Sequence, residues 1–225
     1  MSAEETGIRE GSSRPDSLDD LRALMGDCHR CELGDTRTML VFGVGDPNAR
    51  LMLVGEAPGK NEDLKGEPFV GAAGKLLDSL LDGIGLARKD IYIANVLKSR
   101  PPGNRDPLPD EITACTPFLR EQIRLVDPVV IATLGNFATR FMLGRPEGIT
   151  KLRGHLFRVE GRLIMPIFHP AVGLYDPGKR PDLVDDFRRL HTVISRVQRG
   201  ELDALAGAGT PGESTDAPID LGKGF

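Results

Sequence analysis

Three short clusters hold the side chains of this chain that could act on a bound molecule. The first, Gly55-Glu56-Ala57-Pro58-Gly59-Lys60-Asn61-Glu62-Asp63 followed by Pro68-Phe69-Val70-Gly71, gathers carboxylates and one aromatic ring in a glycine-rich segment. The second is Asn95, which closes the apolar run Ile91-Tyr92-Ile93-Ala94. The third is His169, which follows Ile167-Phe168. An aromatic face, an amide that both donates and accepts, and an imidazole together suit a small planar polar ligand. Each also has a plainer reading. The first cluster can be an ordinary βα turn, Asn95 a strand-terminating residue bonded to local backbone, and His169 a core histidine satisfied by its surroundings. A further pair, Cys28-His29-Arg30-Cys31, has the spacing of metal or cluster ligation, against the alternative of an unligated thiol pair. Cys115 is the third cysteine.

The elements that must place these residues alternate along the chain. Leu51-Met52-Leu53-Val54 is an apolar run that delivers the first cluster, and residues 72–84 carry Leu76, Leu77, Leu80 and Leu81 at helical spacing. Asp90–Val96 reads as a second strand. Pro109–Leu125 is a helix with Ile112, Cys115, Leu119 and Ile123 on one face, followed by a strand at Val129–Thr133 and a short helix from Gly135 to Leu143. The stretches 155–159 and 162–168, joined by Glu160-Gly161, form a hairpin. Residues 182–198 form a last helix, and Ser17 caps a first one over Leu18, Leu21, Leu24 and Met25. Strands alternating with helices predict an α/β three-layer sandwich around a central, mainly parallel four-stranded sheet. In such sheets ligands sit beyond the carboxyl ends of the strands, where all three clusters fall.

Composition sets the outer bounds. The chain has 225 residues and a formal net charge of −4, which disfavours a non-specific polyanion binder but leaves room for a local basic cleft. Residues 1–15 and 201–225 read as polar tails around a domain at 16–200. No run reaches the length of a membrane span, no export signal opens the chain, and three cysteines do not make a disulfide framework. A cytoplasmic monomer with no membrane association is expected. A phosphate-binding nucleotide loop is disfavoured because no Gly-Lys-Ser/Thr follows the glycines and Glu56, Glu62 and Asp63 would repel phosphate there.

The first cluster, Asn95-Val96-Leu97-Lys98 with Arg100-Pro101-Pro102-Gly103-Asn104-Arg105, and His169-Pro170-Ala171 resemble, in order and spacing, the family 4 uracil-DNA glycosylases, the iron–sulfur branch of that superfamily. The resemblance spans Cys28 to Leu190. It implies an enzyme that flips uracil out of single- or double-stranded DNA and hydrolyses its N-glycosidic bond in base excision repair, leaving an abasic site. Phe69 would stack on the base, Asn95 would read its pairing edge, and His169 would donate to O2 as charge develops. Glu56 would stand beside the water, and Glu62 would shape the pocket against the thymine methyl. Gly55, Ala57 and Gly59 would line the slot. Leu174, with Tyr175, would wedge into the duplex, and Lys98, Arg100, Arg105, Lys179 and Arg180 would hold phosphates.

The family places four cysteines around a [4Fe–4S] cluster. Cys28, Cys31 and Cys115 stand at three of these places, and Ser99 stands at the fourth. Serine is a hard oxygen donor, whereas these clusters are held by thiolates, so the resemblance leaves three outcomes: a labile serine-ligated cluster, a cluster with an open iron, or none. Two other functional readings share the fold. One is a glycosylase for other deaminated bases, and the other is a non-catalytic iron–sulfur DNA-binding module.

Overall fold

The computed structural model describes residues 14–201. The predicted tails at 1–13 and 202–225 lie outside the described residues. Arg14 and Pro15, which the sequence assigns to the tail, are instead tied to the long fifth helix. Arg14 Nη2 pairs with Glu121 at 2.5 Å, and the Pro15 carbonyl accepts from Arg124.

Helix α1 (Leu18–Met25) starts where Ser17 accepts the Asp20 amide in its side-chain oxygen. The cysteine pair follows, then the single-turn α2 (Leu33–Thr36) and the two-residue strand β1 (Val44–Gly45). Strand β2 (Leu51–Gly55) leads through α3 (Lys60–Lys65) to α4 (Ala72–Asp82), and β3 (Tyr92–Asn95) leads through the proline-rich loop to α5 (Pro109–Val126). Next come β4 (Val130–Leu134), α6 (Asn136–Leu143), α7 (Ile149–Leu152), β5 (Phe157–Val159), β6 (Arg162–Ile167), α8 (Val172–Tyr175) and α9 (Arg180–Gln198).

The sheet has six strands rather than four, in the order β1-β3-β2-β4-β6-β5. The four predicted parallel strands form its centre, and β1 and β5 add antiparallel edges. The predicted hairpin closes through Glu160 and Gly161, both at positive φ (48° and 79°), as a two-residue turn with matching twist requires.

Alternation along the buried strands separates two cores. Leu51, Leu53, Ile93, Val130 and Ala132 face Leu77, Leu80 and Leu81 of α4 and Leu183, Phe187 and Leu190 of α9. Met52, Val54, Ala94 and Ile131 face Ile112 and Leu119 of α5 and Phe141 of α6. The sheet is thus covered on both sides, which fixes its register against a one-residue slip. Pairing of Gly55 with Asn95 and of Leu134 with Ile167 brings the carboxyl ends of the parallel strands to one edge. Among the described residues, no helix is long and apolar enough to cross a membrane.

Candidate active site

The strand ends bring Gly55, Asn95, Phe69 and His169 together. Asn95 is buried, and among the described residues its Oδ1 has no hydrogen-bond partner. A buried acceptor left unmet costs roughly 1–3 kcal/mol, so a donor brought to this oxygen by a bound molecule would be favoured. The oxygen stands over Gly55: a Cβ there would collide with Asn95 Oδ1 and sit 2.8 Å from Phe69 Cζ. The missing side chain at Gly55 is therefore what lets the amide and the ring approach the strand end so closely.

Phe69 holds a left-handed backbone, with φ of 55°, which a bulky residue adopts only when its surroundings impose it. Three groups impose it. Glu62 Oε1 accepts the Val70 and Gly71 amides, each at 2.9 Å. Arg88 donates to the Pro68 carbonyl at 2.9 Å and to the Phe69 carbonyl. Gly74, at the start of α4, lies so close to the Phe69 carbonyl that no Cβ fits. The ring centroid of Phe69 lies 5.5 Å from that of His169.

His169 is oriented from its far side. The Ala171 amide donates to Nδ1 at 3.1 Å, which makes Nδ1 the acceptor and leaves the proton on Nε2. Burial pushes its pKa down to about 4, against a smaller opposing pull from the Glu62 charge, so the ring is a neutral donor near pH 7. Gly135, at φ 90°, gives the ring room, since a Cβ there would stand 3.2 Å from His169 Cβ. Asp186 accepts the Phe168 amide at 3.2 Å and pairs with Arg153 at 2.9 Å, which fixes the end of β6.

Glu56 follows Gly55. Its carbonyl accepts the Leu97 amide at 3.0 Å, and its carboxyl is half-buried. Burial, and then the charge of Asp106 on the proline-rich loop, raise its pKa. Ala57 and Gly59 continue the loop, and Gly59 is the N-cap of α3.

The structure ties down several of the predicted residues. Glu62 is held by the Val70 and Gly71 amides through Oε1, close enough for its charge to act on His169. Asp63 is buried and accepts the Thr38 amide at 2.8 Å. Lys98 cannot hold a phosphate, being 2% exposed with Nζ bonded to the Asn95 carbonyl and Gln122. Arg105 pairs with the buried Glu111, with Nη2–Oε1 at 2.5 Å, while its own side chain stays 37% exposed. Arg100, Arg180 and Lys179 keep exposed surface, with Arg100 binding the Asn104 side chain at 2.7 Å, Arg180 the Gly173 carbonyl at 2.9 Å and Lys179 pairing with Asp182 at 3.2 Å. The segment after His169 is not a bare loop but the short helix α8, whose tip carries Leu174 and Tyr175 exposed. Arg88 has no local signal in the sequence, since its partners lie about 20 residues upstream and only the fold brings them together.

At the other end of α5, Cys115 is buried and Cys28 and Cys31 are half-buried, all three as free thiols. Burial pushes Cys115 up to about 11 and also raises Cys31. Ser99 is buried beside them, and its hydroxyl oxygen accepts from Arg37 Nη1 at 3.3 Å, while the same nitrogen donates to the Cys28 carbonyl at 2.6 Å. Among the described residues, no group of three or more His, Cys, Asp or Glu is placed to hold one metal ion. Three thiols and a hydroxyl already bonded by a guanidinium do not complete the four-thiolate set of a [4Fe–4S] cluster.

The family described as Uracil DNA glycosylase superfamily matches residues 42–190, the span that holds these strand ends and the helices covering the sheet. The chain belongs to that superfamily. Within it, the chain is 43% identical over 198 residues to the type-4 uracil-DNA glycosylase of Archaeoglobus fulgidus, covering 84% of this chain and 100% of the relative. It is 42% identical over 201 residues to that of Sulfurisphaera tokodaii, covering 85% and 91%. Similarity to the type-5 uracil-DNA glycosylase of Thermus thermophilus is lower, 34% over 133 residues, covering 52% and 59%.

Proposed function

We propose that this chain is a DNA N-glycosylase that extrudes uracil from DNA and hydrolyses the bond to its sugar, in repair of deaminated cytosine. The observation that carries the reading is the unpartnered Asn95 Oδ1, buried beside Phe69 and His169 over a glycine. Uracil N3–H is the donor that this oxygen lacks, and the Asn95 amide N–H faces uracil O4. Cytosine presents the reverse pattern and would leave both groups unmet, at roughly 1–3 kcal/mol each. Phe69 stacks on the flipped ring.

Cleavage leaves negative charge on uracil N1 and O2. The neutral imidazole of His169 answers it with Nε2–H from a site that excludes water, and a preorganised donor of this kind is worth about 10²–10³ in rate. In this reading Glu56 orients the attacking water on the sugar side. Its raised pKa accords with a base tuned toward neutrality, and the Asp106 carboxylate adds to the negative potential around an oxocarbenium-like sugar. The match to two type-4 relatives over more than four fifths of the chain favours uracil over other deaminated bases, and a catalytic over a purely binding role.

The exposed tip of α8 is the proposed duplex wedge. Lys179 and Arg180 flank it, and with Arg100 they offer the exposed part of their charge to phosphates. The protein acts as a monomer on single- or double-stranded DNA, and its free thiols support a reducing, cytoplasmic setting. The cysteine corner takes no part in bond cleavage in this reading. Any cluster there rests on three thiolates with Ser99 as a weak fourth partner, and its role is to pin α1 to α5 and the proline-rich loop.

Incubation with oligonucleotides bearing a single uracil, thymine or cytosine tests the assignment. Alkali-labile sites are expected with uracil alone, and equal cleavage of all three, or of none, would reject it.

A further inference from the structure

Lys98 is a buried basic side chain that the reaction as described leaves unused. It is 2% exposed, and its Nζ donates to the Asn95 carbonyl at 2.7 Å and to Gln122 Oε1 at 2.6 Å. Gln122 is itself fully buried and held from its other end, its Nε2 donating to the Phe42 carbonyl at 2.7 Å and to the Tyr92 hydroxyl at 3.2 Å. The Lys98 backbone is fixed as well, since its carbonyl accepts the Val41 amide at 2.8 Å. The anchor behind Asn95 is thus a chain of hydrogen bonds running to α5, β3 and the segment before β1.

The sheet explains why such an anchor is needed. Strand β1 pairs only with Tyr92 and Ile93, so on that edge no strand reaches Asn95. The Asn95 side-chain oxygen gives no anchor either, because among the described residues Oδ1 has no partner. Where that oxygen stands over Gly55 depends on the Asn95–Val96 peptide, whose N–H donates to the Gly55 carbonyl at 2.9 Å on one side and whose carbonyl Lys98 grips on the other.

We propose that Lys98 is a positioning residue for uracil excision: by clamping the Asn95 peptide to Gln122, it aims the unpartnered Asn95 amide at the base. The clamp needs two N–H donors, which an ammonium and a neutral amine both supply, so it holds in either protonation state. The proposal rests on the reading of Asn95 as the group that recognises uracil.

The test is a double-mutant cycle on single-turnover uracil excision at saturating DNA, using wild type, Lys98→Met, Asn95→Ala and the double variant. Affinity for DNA carrying a tetrahydrofuran abasic-site analogue, which has no base to read, is measured beside it. Lys98→Met is expected to slow excision by about tenfold or more with unchanged analogue affinity, in line with the cost of a misplaced contact. In the Asn95→Ala background the same change is expected to cost less than about twofold, because the group it aims is gone. An equal loss in both backgrounds, or a parallel loss of analogue affinity, makes Lys98 a general fold stabiliser and overturns the proposal while leaving the role of Asn95 intact. Full activity of Asn95→Ala by itself overturns the underlying reading instead. Gln122→Leu, which keeps the lysine and removes its second anchor, gives an independent route if Lys98→Met does not fold. It is expected to slow excision in the same non-additive way, and an additive loss counts equally against the proposal.

Discussion

Lowering the pH probes His169, because folding and catalysis ask the same thing of its ring. Burial holds the folded pKa at about 4, against an ordinary 6.5. Between those two values the unfolded chain takes up a proton that the folded chain refuses. The contribution of this residue to stability is therefore whole above about pH 6.5, declines as the pH falls toward 4, and levels off below. The gap from 6.5 to about 4 corresponds to on the order of 3 kcal/mol, which is a large part of the stability of a domain. Denaturant melts of wild type and His169→Gln across pH 7.5 to 4 isolate it, since only the wild type carries this decline. The same depression keeps the imidazole neutral over the working range, so the single-turnover excision rate shows no step from His169 between pH 5 and 8. Nitrogen chemical shifts of the labelled ring read both its charge and its tautomer, with the proton expected on Nε2 because Nδ1 accepts from Ala171. A ring that titrates near 6.5 in the folded protein, or a rate that rises as the ring gains its proton, would refute the neutral-donor account.

Two further outcomes follow from the packing. Gly55→Ala puts a methyl group against Asn95 Oδ1 and 2.8 Å from Phe69 Cζ, so excision is expected to fall by about a hundredfold, with KM for DNA little changed. Normal excision by a folded Gly55→Ala would show that the base does not enter between those two groups. Ser99→Cys supplies the missing thiolate, and iron per chain and melting temperature are both expected to rise; equal values in the two proteins would exclude a cluster-bearing role for the corner.

The central strands could be read from the sequence because buried parallel strands are continuous apolar runs between turn signals. Leu51–Val54 and Ile91–Ala94 stand out for that reason, and their last residues mark the site. The edge strand β1 did not stand out, because two residues including a glycine make no pattern. Helix α3 was missed because its six residues are almost all polar, and its single leucine, Leu64, is exposed. The misassignment of Lys98 has a plain cause. A lysine is normally solvent-facing, and nothing local to Lys98 reveals the buried Gln122 that turns it inward. The clamp on Phe69 escaped for a related reason: Glu62 and Arg88 act on backbone groups that only the fold brings near. The candidate site residues could be named from their order and spacing, whereas the groups that hold them in place could not.

The measurement closest to the heart of this account is the release of free uracil from uracil-containing DNA by purified protein, quantified by mass spectrometry under single-turnover conditions. Wild-type protein is expected to release one uracil per site whatever its iron content, with Asn95→Ala and His169→Ala slower by at least tenfold. No free base at any salt concentration, or full rates from both variants, would contradict the claim that these strand ends form a slot for an extruded uracil.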